Sequence, residues 1–177
     1  MVSAYSDAIP VHQYSSAVFD EIVNMVQVSP CCKLIHVETG VPTRSQFWGP
    51  QLYAQDKNAT LGITLEPFDY GVFSHGSDSA YPPDRSQAIF PTALDGIWSD
   101  PSLDDTMASV LRNISETVHD VALADGQNIS SAAKYPNYAL FGTPLENMYG
   151  GNLHRLHKIR KHVDPEDVMG LTGGWRF

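Results

Sequence analysis

The segment KLIHVE, residues 33–38, carries a pair of side chains whose spacing fits acid–base chemistry. Alternate residues of a β-strand point to the same face, so a strand here places His36 beside Glu38. A carboxylate next to an imidazole fixes its tautomer and orients it as a general base. The same alternation also fits two solvent-facing side chains on an edge strand, and both interpretations remain open.

A second carboxylate lies in ATLGITLEPF, where Thr64 and Glu66 share the face opposite Leu61, Ile63 and Leu65. Glu66 is therefore either an acid in a cavity or a solvated strand carboxylate. Tyr81, Arg85 and Tyr138 add hydrogen-bond donors from the loops. Aromatic residues accompany them in or beside these loops: Trp48, Tyr53, Phe68, Tyr70, Phe73, Tyr81, Trp98, Tyr135 and Tyr138.

These aromatic residues fit two roles. The ordinary role is packing in the core or at its rim. The other is a broad pocket that folds an apolar polyene so that its reacting ends meet. A cycloaddition in such a pocket needs proximity and one hydrogen bond to an activating carbonyl, and it needs no cofactor.

Charge and composition exclude several function classes. The chain has 177 residues, 20 Asp and Glu against 11 Lys and Arg, and a net charge of −9. Nucleic-acid binding relies on a basic surface, which this balance opposes. A run of apolar residues long enough for a membrane span is missing, as are the features of a signal peptide, so we expect a cytoplasmic protein with neither nucleic-acid nor membrane partners.

The elements that must position these residues follow from periodicity. Helices are predicted at residues 15–28, from an opening at Asp100-Pro101-Ser102 until Gly126, and in the basic segment from Leu153 to Val163. A further short helix is predicted in VDPEDVM, capped by Asp164. Strands are predicted in CCKLIHVETG, ATLGITLEPFDYG and SQAIFPTALDGIW. This order lacks regular βα alternation. It predicts an α+β fold in one domain over residues 1–177, with a mostly antiparallel β-sheet and helices packed on one face.

The basic helix needs its own explanation in an acidic protein. Leu153, Leu156, Ile159 and Val163 form an apolar stripe that leaves the cations to solvent. Cations near a helix C-terminus interact favourably with its dipole, so we interpret the segment as a packing helix with a solvated face. His154 and His157 supply two ligands where a structural zinc needs about four, so we predict no metal site.

Residues of the C-terminal segment YGGNLHRLHKIRKHVDPEDVM carry a family resemblance. They match a pattern of Tyr-x-Gly-Asn, then Arg-Leu, a basic helix and Asp-Pro-x-x-Val at these positions: Tyr149, Gly151, Asn152, Arg155, Leu156, Asp164, Pro165 and Val168. YPNYALFG, LEPFDYGVFSHGSDSAYPPDR and IFPTALDGIWSDPSLDD extend the match over roughly residues 60–169. The chain resembles the C-terminal half of berberine bridge enzyme-like, FAD-linked oxidases.

The resemblance implies the sheet of a substrate domain that covers flavin and substrate, whereas the flavin pyrophosphate is held by a separate N-terminal domain. No Gly-rich phosphate loop follows a strand in this chain. For the segment SQAIFPTALDGIW the resemblance implies polar or Tyr side chains that face the flavin. The corresponding residues here are Thr92 and Leu94, and Asp95 faces the other way.

From these observations we predict a flavin-independent enzyme of secondary metabolism, a Diels–Alder-like cyclase or an acid–base isomerase, that needs no cofactor and binds an apolar small molecule. Predicted catalytic residues are His36, Glu38, Glu66, Tyr81 and Arg85. Predicted substrate-binding residues are Trp48, Tyr70, Leu94, Trp98 and Tyr138. Two alternatives remain, the substrate-binding half or subunit of an FAD-dependent oxidase and a non-catalytic binding protein. A homodimer is expected because the face that meets a flavin domain would otherwise be exposed.

Overall fold

The computed structural model describes residues 2–26, 59–65, 71–76 and 78–177. Within these ranges the strands are β1 (Ser3–Val11), β2 (Thr60–Thr64) and β3 (Phe90–Trp98). The α-helices are α1 (Ser16–Val26), α2 (Asp104–Ala124), α3 (Glu146–Tyr149) and α4 (Leu153–Val163). Short 3-10 helices lie at Pro101–Leu103, Gly150–Asn152 and Met169–Thr172. The strand predicted in residues 31–40 lies outside the described residues.

The described strands form an antiparallel sheet in the order β1-β3-β2, so β3 is the central strand. One face of this sheet is covered by α1 and α2. Its buried side chains share a core with both helices, and the main members are Ile9, Leu61, Leu94, Trp98, Val18, Ile22, Met107 and Leu111. The predicted α+β class, with an antiparallel sheet and helices packed against it, is confirmed.

Helix α2 forms where the apolar period predicts it. Asp104 and Asp105 occupy its first turn, where carboxylates interact favourably with the helix dipole. Its buried stripe includes Met107, Leu111 and Ile114. The helix lies close to β3 at Gly96, where an added Cβ would be 2.9 Å from the Met107 sulfur. A glycine at this position therefore lets helix and sheet approach.

Strand β1 was not expected from the sequence. Its second half, from Asp7 to Val11, is fully buried, but a carboxylate and Pro10 interrupt the apolar pattern there. Pairing with β3 gives the segment its extended structure, with Asp7 opposite Leu94 and Val11 opposite Phe90. Tertiary pairing thus overrides a weak local signal.

The short helix predicted in VDPEDVM was wrong. The Asp164 carboxylate does accept from main-chain N–H groups, but these belong to Val168 and Met169, at 2.8 and 2.9 Å. Pro165 lies in a turn, and the 3-10 helix begins only at Met169. None of the described helices has the length and apolar character of a membrane span.

The sheet face opposite the helices carries mostly small residues. Pairing register brings Ala4, Ser6 and Ala8 of β1 onto this face beside Ile97, Asp95 and Ala93 of β3, and beside Thr60, Gly62 and Thr64 of β2. Ala8 and Ala93 are buried, whereas Ala4 and Ile97 are exposed. One end of this face is therefore covered and the other is accessible.

Candidate functional site

Five of the predicted site residues lie outside the described residues: His36, Glu38, Trp48, Glu66 and Tyr70. Their roles stay predictions. The other five are Tyr81, Arg85, Leu94, Trp98 and Tyr138, and the structure separates them into two groups.

Leu94 and Trp98 lie in the core between sheet and helices. Both are fully buried. The Trp98 indole packs edge-on against Tyr5 at 4.8 Å and its Nε1 donates to the Asp104 carboxylate at 2.7 Å. Thr92, next to Leu94 on the same face, is bonded to the Tyr14 hydroxyl. These side chains face the helices, so their burial supports a packing role rather than a substrate wall.

Tyr81 and Tyr138 lie together in an aromatic cluster formed by Phe73, Tyr81, Tyr135 and Tyr138. Successive rings meet edge-to-face with centroids 5.9, 5.5 and 5.1 Å apart. The Tyr81 hydroxyl donates to the Ala133 carbonyl at 3.3 Å. Burial raises the pKa of Tyr81 to about 12, and repulsion from Tyr135 acts in the same direction. The phenol is therefore a neutral donor near pH 7.

We expect this environment to make Tyr81 a source of alkaline instability. The unfolded phenol ionises at its usual pKa of 10.0, whereas the folded phenol does so at about 12. The stabilising contribution is therefore complete below about pH 10 and is lost as the pH rises through about 12. Urea unfolding across this range should show a smaller loss of stability in Tyr81→Phe than in the unchanged protein. Equal losses in the two proteins would disprove the assignment.

Arg85 holds the loop before β3. Its Nη1 donates to the Phe73 and His75 carbonyls at 2.8 and 3.0 Å, and its Nη2 donates to the Ser79 hydroxyl at 3.1 Å. The adjacent Asp84 accepts from the hydroxyl and main-chain N–H of Ser86, and these bonds lower the pKa of its carboxyl. Arg85 thus positions the loop and the aromatic cluster. Its Nη1 and Nη2 donors are used in these bonds, whereas the predicted catalytic role requires donors that face a substrate.

A cleft of about 890 Å³ lies between α2, the outer edge of β1 and the segment 130–151. We call it the α2 cleft. Asp7, Ser115 and Lys134 meet at its floor, where Asp7 and Ser115 are 1% and 2% exposed. The Lys134 ammonium donates to both Asp7 carboxylate oxygens at 2.9 Å and to the Ser115 hydroxyl at 3.0 Å. The main-chain N–H groups of Ala8 and Leu140 also donate to the Asp7 carboxylate.

The ion pair between Asp7 and Lys134 anchors the segment after α2 to β1. The Lys134 ammonium donates to three acceptors, the two Asp7 carboxylate oxygens and the Ser115 hydroxyl, so these contacts use all of its donors. The contacts join β1, α2 and the segment after α2. Asp7 also accepts from the N–H of Ala8 next to it, on the side of β1 that no other described strand pairs. Sequence reasoning missed this cluster because Asp7 and Lys134 lie far apart in the chain and neither stands in a recognisable motif.

Helix α4 carries an accessible apolar surface. Leu153 and Leu156 are half-buried, but none of its residues is fully buried. Exposed apolar residues continue beyond the helix, and the set that we call the C-terminal apolar surface consists of Ile159, Val163, Val168, Met169 and Leu171, which are between 46% and 84% exposed. Arg155 is paired with Asp78, and Arg160 with Asp167. Among the described residues, no group of three or more His, Cys, Asp or Glu could hold a metal ion.

Comparison with known proteins identifies two similarities in sequence. The family model "Berberine and berberine like" matches residues 134–172. An FAD-linked oxidoreductase, srdI of Neurospora crassa, is 33% identical over 133 residues, which cover 72% of this chain and 24% of that protein. The chain thus spans about a quarter of the length of the curated relative it matches. No solved structure is significantly similar. The matched segment begins at Lys134, the residue that anchors it to the sheet.

Proposed function

The chain carries a berberine bridge enzyme-like segment and is related to an FAD-linked oxidoreductase, and on this premise we propose that it is the substrate-side part of an FAD-linked oxidase. The flavin is held by another part of that oxidase, on the same or on a separate polypeptide. The chain itself provides the sheet, the helices that support it and the anchored C-terminal segment.

The observation that carries the proposal is the C-terminal apolar surface. Val163 and Leu171 are 74% and 84% exposed, and all five of its residues lie in the segment that matches the family. Exposed apolar side chains concentrated in one segment are a feature of surfaces that another protein covers. The relative is about four times as long as the aligned region, so the rest of such an oxidase is the candidate cover.

The described residues do not fit FAD themselves. A diphosphate needs converging main-chain N–H groups or unpaired cations. At the α2 N-terminus the carboxylates of Asp104 and Asp105 oppose an anion. In the α2 cleft the ammonium of Lys134 is already occupied by Asp7, and Glu116, Asp120 and Glu146 outnumber Arg112 along the wall. We therefore assign flavin binding to residues outside this set.

The proposal is tested with a chimera in which this chain replaces the aligned quarter of the Neurospora crassa oxidoreductase. We expect the purified chimera to show flavin absorbance. A chimera carrying Val163→Asp and Leu171→Asp should lose flavin, because charges on the C-terminal apolar surface prevent docking.

Val72→Asp is the matched control, since Val72 is also an exposed valine, at 46%, but lies outside the family segment. A chimera that is folded by circular dichroism but carries no flavin would refute the proposal. Equal flavin content in the Val72→Asp control and in the double variant would also refute the proposal.

Other predictions stay open beside this proposal. A cofactor-free cyclase or isomerase requires free donors, and the described candidates Tyr81 and Arg85 both donate to main-chain carbonyls. A non-catalytic binding protein, the homodimer and the cytoplasmic location also stay predictions, as does a single domain over residues 1–177.

A further inference from the structure

One carboxylate stands in the middle of the sheet face opposite the helices. Asp95 belongs to the central strand β3, and the register pairs it with Ser6 on one side and with Gly62 on the other. The three residues form a row across the sheet. Asp95 and Ser6 are both half-buried, so the row lies where the covered end of this face meets its accessible end.

The Asp95 carboxylate is only half satisfied. The Ser6 hydroxyl donates to its Oδ1 at 2.5 Å. Among the residues that the structure describes, the second oxygen, Oδ2, accepts no hydrogen bond. A carboxylate that is partly removed from water interacts strongly with any donor that reaches it, because hydrogen bonds to charged groups are stronger than those between neutral groups.

Space for such a donor exists beside Asp95. A Cβ added to Gly62 would meet no atom of the described residues within 4 Å, so none of them closes the row above β2. Ile97, two residues along β3 on the same face, is 45% exposed and offers an apolar contact. An open site with one carboxylate and a neighbouring apolar side chain suits a molecule that has an apolar body and one donor group.

We propose that Asp95, held in place by Ser6, is a ligand-binding residue that accepts a hydrogen bond from the ammonium or hydroxyl group of an organic molecule lying against Gly62 and Ile97. Calling this molecule the substrate rests on the proposed oxidase function, whereas the binding itself does not. Ser6 is a positioning residue, since its hydroxyl fixes one carboxylate oxygen and leaves the other for the ligand.

Benzylamine is a suitable probe because it joins one ammonium group to a flat apolar ring, and toluene is its matched analogue without the donor. In an NMR titration of the chain we expect benzylamine to shift the amide signals of Ser6, Gly62 and Asp95, with toluene binding at least about tenfold more weakly. Asp95→Asn keeps an acceptor for Ser6 but removes the charge, and it should weaken benzylamine binding by about tenfold.

Two further variants separate this proposal from a purely structural Ser6–Asp95 contact. Gly62→Leu should block the probe while leaving the fold intact by circular dichroism, because no atom of the described residues lies within 4 Å of an added Cβ. Asp105→Asn, at an exposed carboxylate on α2, should change nothing. Equal affinity for benzylamine and toluene, or unchanged affinity in folded Asp95→Asn, would overturn the proposal. The titration uses no flavin, so its failure is distinct from failure of the chimera to hold FAD.

Discussion

Lys134→Met is expected to lower the free energy of unfolding by about 3–5 kcal/mol, because it removes the partner of a buried charge. Asp7 is 1% exposed, and the Lys134 ammonium donates to both oxygens of its carboxylate. Methionine preserves the length of the side chain, so the loss reports the charge rather than packing. Urea unfolding followed by circular dichroism measures it.

The same experiment needs a surface lysine and a double variant for comparison. Lys161 on α4 is exposed, so Lys161→Met should change stability by no more than about 0.5 kcal/mol. Asp7→Leu combined with Lys134→Met removes both charges, and its loss should be clearly smaller than the sum of the two single losses. A loss in Lys134→Met as small as that in Lys161→Met would show that the ion pair does not anchor the segment.

Trp98→Ala should lower the free energy of unfolding by about 3–5 kcal/mol, since it leaves a cavity at a fully buried site in the core. The change also removes the edge-on contact with Tyr5 and leaves the Asp104 carboxylate without its indole donor. Urea unfolding again gives the free energy. This result distinguishes a core residue from the substrate wall predicted from the sequence, whose loss would weaken ligand binding and leave stability nearly unchanged.

Phe141→Ala provides the contrast, because Phe141 is an aromatic residue that is 87% exposed. We expect Phe141→Ala to change the free energy of unfolding by no more than about 0.5 kcal/mol. A Trp98→Ala protein as stable as Phe141→Ala would refute the core assignment.

Regular, local signals could be interpreted from the sequence alone. The 3.6-residue repeat from Met107 to Val118 predicted α2, and segments of strand character bounded by turn residues predicted β2 and β3. The pattern around Tyr149 and Arg155 gave the family resemblance that the comparisons confirm. These features depend on neighbours a few positions away, so a linear pattern contains them.

Tertiary structure decided the rest. Strand β1 exists because it pairs with β3 about ninety residues later, and Asp7 meets Lys134 across a separation of 127 residues. The register also decided which residues face the helices, so that Leu94 is core and Asp95 lies on the other face beside Ser6 and Gly62. A single sequence carries no local signal for such contacts, because chain segments far apart in the sequence become neighbours only when the chain folds.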